Sequence, residues 1–578
     1  PRGLTRLLER GLSREPQARF SSMNELLRAL RSVRSARARW LAAAAVVFLA
    51  SVAAAWLGGA RSLERRQCDA AGAALSSPWT ADTRAQLTHA FGATHVSWAG
   101  EVLARVTARL DAWARQFDAA KREACEPSLF GPRVSAAELG LRLECLAEAA
   151  RQARGVISQL REPDASTQLN AVAATEGLVI DCRAPAAKFP RPVVGSEDVE
   201  RLRDDFARVY ALLNAGRAKA ALELAKTLPE RAEANGDERL RLAAQVSLGI
   251  AQERNNDFPS AVKQLQAAIR RADVLQDDRL RAQAWVSLLQ AEYRAGHYER
   301  ALELEAGALG AAERVGDPWL QSEALLFLGG ALSARDQLQR AQDAFQQAVA
   351  LREKAWGPED RRTAFALSSL GNALAMQGEL TGAIDAHRRS LHAAEAALGP
   401  RHPAVATLRG NLGDDFLYGL DPKAAVAELG GAVELLAGND PKSREVANLS
   451  TDLGFAQLLA GNAEEALATF ERALSLWNAL APQHPLRGMS LLGRAEALKA
   501  LGREVPLADL EAALQLVKVL PPFERGRVQL ALGEALEKTD PPRARTLVHD
   551  AEQGLSTTTL PLVAAARARA QRWLEAHR

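Results

Sequence analysis

The sequence predicts an all-α protein: one transmembrane helix, then a cysteine-bearing helical region, then a long solenoid of helical hairpins. Aromatic residues make up only 5% of the 578 residues while alanine and leucine recur throughout, which suits close helix packing better than sheets. One 21-residue segment, "WLAAAAVVFLASVAAAWLGGA" at 40–60, carries no charge. From about residue 197 onward the chain is self-similar, with a period of 40 to 42 residues.

Lys and Arg number 73 against 70 Asp and Glu, a formal net charge of +3, with the two signs interspersed along helical faces. A nucleic-acid binder should instead show a basic stripe with aromatics between the charges, so no nucleic-acid partner is expected. The one dense basic cluster, from Arg28 to Arg39, directly precedes the uncharged run.

The first element covers 1–33. Ser22 followed by Glu25 has the form of a capping box, and Met23, Leu26, Leu27 and Leu30 make an apolar helical stripe after it. The preceding "RGLSREPQARF" places Leu12, Pro16, Arg19 and Phe20 at a spacing that resembles the last segment of the catalytic domain in bacterial serine/threonine protein kinases. The resemblance implies that 1–33 is the C-terminal remnant of such a domain, in the C-terminal portion of a bacterial transmembrane serine/threonine kinase. It also implies that Arg19 is a buried structural ion-pair partner of a distant Ala-Pro-Glu element. The chemistry of that family is missing from the sequence: there is no glycine-rich phosphate loop, no Val-Ala-Ile-Lys strand, no His-Arg-Asp loop and no Asp-Phe-Gly site. "DDFLYG" at Asp414 is not a magnesium site, so the chain is read as non-enzymatic.

As a helix, 40–60 would extend about 30 Å, the thickness of a hydrocarbon core. Trp40 and Trp56 fall near its ends. Arg28, Arg31, Arg34, Arg37 and Arg39 outnumber Arg61, Arg65 and Arg66 across it, which predicts a single pass through the bacterial inner membrane with 1–39 cytoplasmic and 61–578 extracytoplasmic. The lipid bilayer is then a partner of 40–60.

Helices follow at about 81–91, 94–124, 134–161 and 164–181 within a membrane-proximal region, 61–182, that holds Cys68, Cys125, Cys145 and Cys182. Zinc sites bring cysteines in pairs two to four apart, whereas the gaps here are 57, 20 and 37, so disulfides and no metal are expected. Four cysteines allow three connectivities; Cys68 with Cys182 and Cys125 with Cys145 is the pairing expected. Similar cysteine-bearing regions follow the membrane helix in the kinases this chain resembles. A proline-rich linker occupies 183–196.

The repeats run from 197 to 555. Alanine recurs at 261, 301, 341, 383, 425 and 466, with Gly249, Leu289, Gly329, Gly371, Gly413 and Gly454 twelve residues before each. Small residues at these offsets let two antiparallel helices approach closely, and Asn256, Gly296, Asp336, Gly378 and Gly461 tolerate the positive φ of the turns between them. The spacing resembles the tetratricopeptide repeat, and "LGPRHPAVATL" resembles the long-helix variety of kinesin light chains. Glu305 and His387 depart from it, since they stand where that family has large apolar residues. The units near 209, 493 and 533 are out of register, and 556–578 reads as a capping helix.

In that family the first helix of each pair faces inward, which places Gln290, Arg294, Asn372, Asn411, Asp414 and Tyr418 on a concave groove for a protein or peptide. Only Arg254 and Arg294 are cationic there, so an internal segment is expected as ligand, not a free C-terminus. No cofactor is expected. The pairs His89 with His95 and His387 with His392 are spaced so that neither shares a helical face. The function that emerges is a non-catalytic sensor or scaffold region of a membrane-anchored kinase; the alternative is a free-standing membrane-anchored repeat protein for assembly, unrelated to kinase signalling.

Overall fold

The computed structural model describes residues 2–33, 41–52, 55, 75–94, 96–125, 136–162, 164–180, 182 and 197–577. All regular secondary structure among them is helical. The chain divides into two units. One comprises 1–76, 118–146 and 182–189, and the other 77–117, 147–181 and 190–578.

The expected membrane-spanning helix is not found: among the described residues no helix is long and apolar enough to cross a bilayer. Within 40–60 the described residues are 41–52 and 55, and the run is rich in alanine, so absence of charge alone does not make it a span. The inner-membrane topology drawn from that helix is withdrawn with it. Trp40, Trp56 and the arginines at 34, 37, 39, 61, 65 and 66 lie outside the described residues.

In the first unit, helix Arg2–Gly11 leads through a 3-10 turn, Pro16–Ala18, to a helix at 23–33. The cap at Ser22 forms, its Oγ accepting from the Glu25 amide at 3.2 Å, while the Glu25 carboxylate turns to the Ser21 amide at 2.8 Å. The Arg10 guanidinium lies 4.5 Å over the Phe20 ring. Arg19 is exposed and its Nε donates to the Ser13 carbonyl at 2.8 Å; the Ala-Pro-Glu element expected as its partner is not in this sequence. A disulfide joins Cys145 to Cys182, with Cα atoms 5.7 Å apart, which overturns both expected pairings. Cys68 and the side chain of Cys125 lie outside the described residues.

In the second unit, nine helix pairs follow one another: Glu197–Asn214 with Ala218–Asn235, Glu238–Arg254 with Phe258–Leu275, Asp278–Arg294 with Tyr298–Val315, Pro318–Ala334 with Leu338–Trp356, Arg361–Gln377 with Leu380–Leu398, Pro403–Tyr418 with Pro422–Ala437, Arg444–Leu459 with Ala463–Leu480, Pro485–Ala500 with Leu507–Leu516, and Pro522–Leu536 with Pro541–Leu555. A last helix, Pro561–Ala576, stacks on the ninth pair. From the second pair to the eighth, the first helices begin at side-chain caps. Asp237, Asp277, Asp317 and Asp360 accept from amides two or three residues on, and at His402 and His484 the ring Nδ1 takes that place before a proline at the first helical position. Asn256, Gly296, Asp336, Gly378 and Gly461 all have positive φ at the turns, as their residue types require; Leu420 also does, at 62°.

The small residues mark real close approaches. A Cβ on Gly454 would stand 2.7 Å from the Phe470 ring, and one on Gly413 would stand 2.6 Å from Leu429. In the third pair the second helix breaks at Leu304 into Tyr298–Glu303 and Glu305–Val315. Glu305 pairs outward with Arg340 at 2.8 Å, and Trp285 from the first helix covers Gly307, filling the room a large side chain would occupy.

Residues 77–117 and 147–181 pack against the repeats. Trp98, Phe91, Val102 and Leu160 share one buried core with Ala397 and Leu398 of the fifth pair and Ala211 of the first. Polar contacts surround it: Arg361 grips Glu176 at 2.7 and 3.1 Å, Arg401 meets Glu101 at 2.6 Å, and Trp98 Nε1 donates to Asn439 Oδ1 at 2.9 Å. Arg217, at the turn of the first pair, donates to Gln159 at 3.1 Å and to the Glu162 carbonyl at 3.0 Å. This helical region therefore bridges the first pair and the fifth to seventh.

Candidate functional site

Successive first helices are joined by a ladder of polar side chains. Arg294 of the third pair reaches back to Glu253 and, at 2.8 Å, to Asn256 of the second. Asn411 of the sixth donates to Ser368 Oγ of the fifth at 3.1 Å, and Thr451 of the seventh meets Ser490 of the eighth at 2.7 Å. At the C-terminal end first helices of pairs that are not neighbours meet, which puts them on the inner side of the curve there: Tyr418 of the sixth donates to Glu524 of the ninth and packs edge-on against Phe523. Leu380 and Tyr418 also border a core with Leu560 and Val563 at the C-terminal end.

The inner face therefore has an open stretch and a closed one. On the open stretch Arg254, Arg294 and Asn372 are exposed and Gln290 is half-buried. Glu253 lies beneath the two arginines, 1% exposed; burial pushes its carboxyl up against the pull of Arg254 and Arg294. Arg294 also lies 5.7 Å over the Phe258 ring. Tyr293 packs on Tyr298 and Phe327, with ring centres 5.9 and 5.7 Å apart, so an aromatic patch borders Gln290.

The closed stretch gathers Asp414, Tyr418, Asp452, Glu524 and Arg527. Arg527 holds Glu524 at 3.1 Å and lies 4.3 Å over the Phe455 ring. Burial, and then the charges of Asp452, Asp415 and Glu524, hold the Asp414 carboxyl well above its ordinary range; its Oδ1 is buried with no hydrogen-bond partner. Asp452 is pushed up to about 7, by burial and then by Glu524. Asp414 and Tyr418, expected on an open groove, are thus packed at its closed end.

Next to Asp414, Asp415 faces the opposite way and meets His387 Nδ1 at 2.6 Å. His387 is 1% exposed; its Nε2 lies 3.2 Å from Asn372 Oδ1 and 3.3 Å from the Ser368 carbonyl. Gly371 makes the room, since a Cβ there would stand 2.4 Å from that ring. The histidine that departs from the repeat pattern is therefore a buried polar link between the fifth and sixth pairs. Asp415 had no signal of its own in the sequence, and neither did Asp452, Glu524 or Arg527, because their convergence depends on how the array curves. Among the described residues no group of three or more histidine, cysteine or carboxylate side chains is arranged to hold a metal ion.

Tetratricopeptide-repeat family models match residues 323–361, 362–436 and 445–504, so the C-terminal region is built of tetratricopeptide repeats. No curated protein matches the sequence. Similar solved structures include a Rap protein complexed with competence and sporulation factor, 14% identical over 67% of this chain and 99% of that one, with a TM-score of 0.39. BtubC from P. vanneervenii is 18% identical over 38% of this chain and 90% of its own, with a TM-score of 0.35. A tetratricopeptide repeat protein from Parabacteroides merdae is 16% identical over 50% of this chain and 98% of its own, also at 0.35.

Proposed function

We propose that the open stretch of the inner face binds an internal segment of a partner protein. The observation that carries this is the run of accessible, mixed side chains on successive first helices, with Arg254, Gln290, Arg294 and Asn372 beside the Tyr293, Tyr298 and Phe327 rings. Amides and guanidinium groups can hydrogen-bond a peptide backbone, and the aromatic patch offers it apolar area. Asn411, Asp414 and Tyr418 take part indirectly, by closing the far end of the same face. Replacing Gln290, Arg294 and Asn372 together with alanine should preserve helicity and weaken a captured partner at least about tenfold, equivalent to about 1.4 kcal/mol. An unchanged yield from the folded triple variant would favour a spacer role for the array.

A second reading is that the array serves as the sensor or scaffold region of a serine/threonine kinase. Its support is the Leu12, Pro16, Arg19 and Phe20 pattern, together with the helix, 3-10 turn and helix over 2–33. The coding sequence immediately upstream of Pro1 tests it: a kinase catalytic core there supports the association, and an unrelated reading frame removes it.

A further inference from the structure

The closed stretch holds three carboxylates and one guanidinium on three helices. Asp414 comes from Pro403–Tyr418, Asp452 from Arg444–Leu459, and Glu524 with Arg527 from Pro522–Leu536. Arg527 is already engaged by Glu524 and by the face of Phe455, and Tyr418 spends its hydroxyl proton on Glu524. The other charged groups around this space are committed elsewhere. Asp415, on the same helix as Asp414, is paired with His387 of Leu380–Leu398. Glu496 of Pro485–Ala500 faces Arg527 but also meets Arg569 of Pro561–Ala576, which binds Glu534, itself bonded to Lys499 at 2.7 Å. Arg527 draws the Asp452 carboxyl down only in part against burial and Glu524, and Asp414 Oδ1 has no hydrogen-bond partner among the described residues. With both ionised, the enclosed trio would carry two uncompensated negative charges, a cost that separation of the helices and entry of water would relieve.

We propose that the contact between the sixth and ninth pairs is a pH-sensitive clasp: while Asp414 and Asp452 keep their protons it stays shut over the inner face, and as they ionise beside Glu524 it opens. The direction follows from linkage. A carboxyl raised above its unfolded value stabilises the closed form at low pH, and that contribution is lost as pH rises through the folded value, about 7 for Asp452. Burial and Glu524 likewise keep the Tyr418 hydroxyl protonated, so it goes on donating across this range. The clasp does not depend on which ligand the open stretch takes.

Hydrogen exchange of the full chain, measured by mass spectrometry between pH 6 and 8.5 and corrected for the intrinsic rate, tests the clasp. In the wild type, peptides from Pro403–Tyr418 and Pro522–Leu536 should lose protection about tenfold or more over this range, while Glu238–Arg254 should keep its own. In the double variant D414N/D452N the profile should be flat. A flat wild-type profile, or an unchanged slope in the double variant, overturns the proposal. Should the double variant not fold, Glu524→Gln removes a charge that raises both aspartates and must move the wild-type transition to lower pH; a transition that stays in place overturns the proposal equally.

Discussion

Replacing Gly493 with alanine tests whether small residues in the repeats mark steric necessity. Phe470 is fully buried, wedged between Gly454 of the seventh pair and Gly493 of the eighth, with its ring edge-on to Phe455 at 5.1 Å. A Cβ on Gly493 would stand 2.1 Å from the ring, where ordinary contact begins at 3.4 Å, so the ring must retreat by 3.4 − 2.1 = 1.3 Å. Overpacking of this kind costs about 1–3 kcal/mol. A displacement above an ångström in an enclosed site belongs near the upper figure, and alanine returns about 1 kcal/mol of helix propensity. The net loss of about 2 kcal/mol corresponds to roughly 30-fold less protection from hydrogen exchange. Exchange in Pro485–Ala500 is the readout, because repeat arrays open locally and a global midpoint would dilute the effect. Phe470→Leu should cost stability alone and recover part of the loss when combined with Gly493→Ala, a coupling of about 1 kcal/mol or more. Wild-type protection in the single variant, or strictly additive effects in the pair, would refute the steric account.

Two further outcomes concern the region docked on the repeats and, in the first unit, the disulfide. His402 is 2% exposed and burial pushes its imidazole down to about 4; neutral, it donates from Nε2 to the Leu169 carbonyl and accepts the Ala404 amide at Nδ1. Its contribution is therefore present above about pH 6.5 and lost as pH falls through about 4. The fluorescence of Trp98, whose ring lies 5.2 Å from His402, should report undocking there in the wild type, whereas His402→Asn should remove that transition. Non-reducing peptide mapping should recover Cys145 linked to Cys182, and because 37 residues separate them, Cys145→Ser should cost about 4 kcal/mol in loop-closure entropy, read as earlier urea unfolding.

The repeats were legible because their signature is local. Two helices that touch need small residues at fixed offsets, and a two- or three-residue turn needs positive φ, so Gly454 and Asn256 announce their roles without any partner in view. The closed end of the inner face was not legible. Asp414 and Tyr418 could be placed on the inner helix from spacing alone, but Glu524 lies 106 residues from Tyr418 and meets it only because the array curves. The docked helical region hid for the same reason, since Glu176 and Arg361 stand 185 residues apart and neither differs by its neighbours from an ordinary surface charge. At 40–60 an uncharged composition was not by itself enough to make a span, since no helix among the described residues is long and apolar enough to cross a bilayer.

The claim that a partner segment lies along the open inner face is tested most directly by site-specific photo-crosslinking in the full chain. A photoreactive residue at Gln290, on a first helix, should trap a partner whose adduct maps to one internal stretch of sequence. The same group at Lys263, exposed on the second helix Phe258–Leu275, should trap little. Equal labelling at the two positions, or adducts at 290 scattered over many unrelated peptides, would contradict the account.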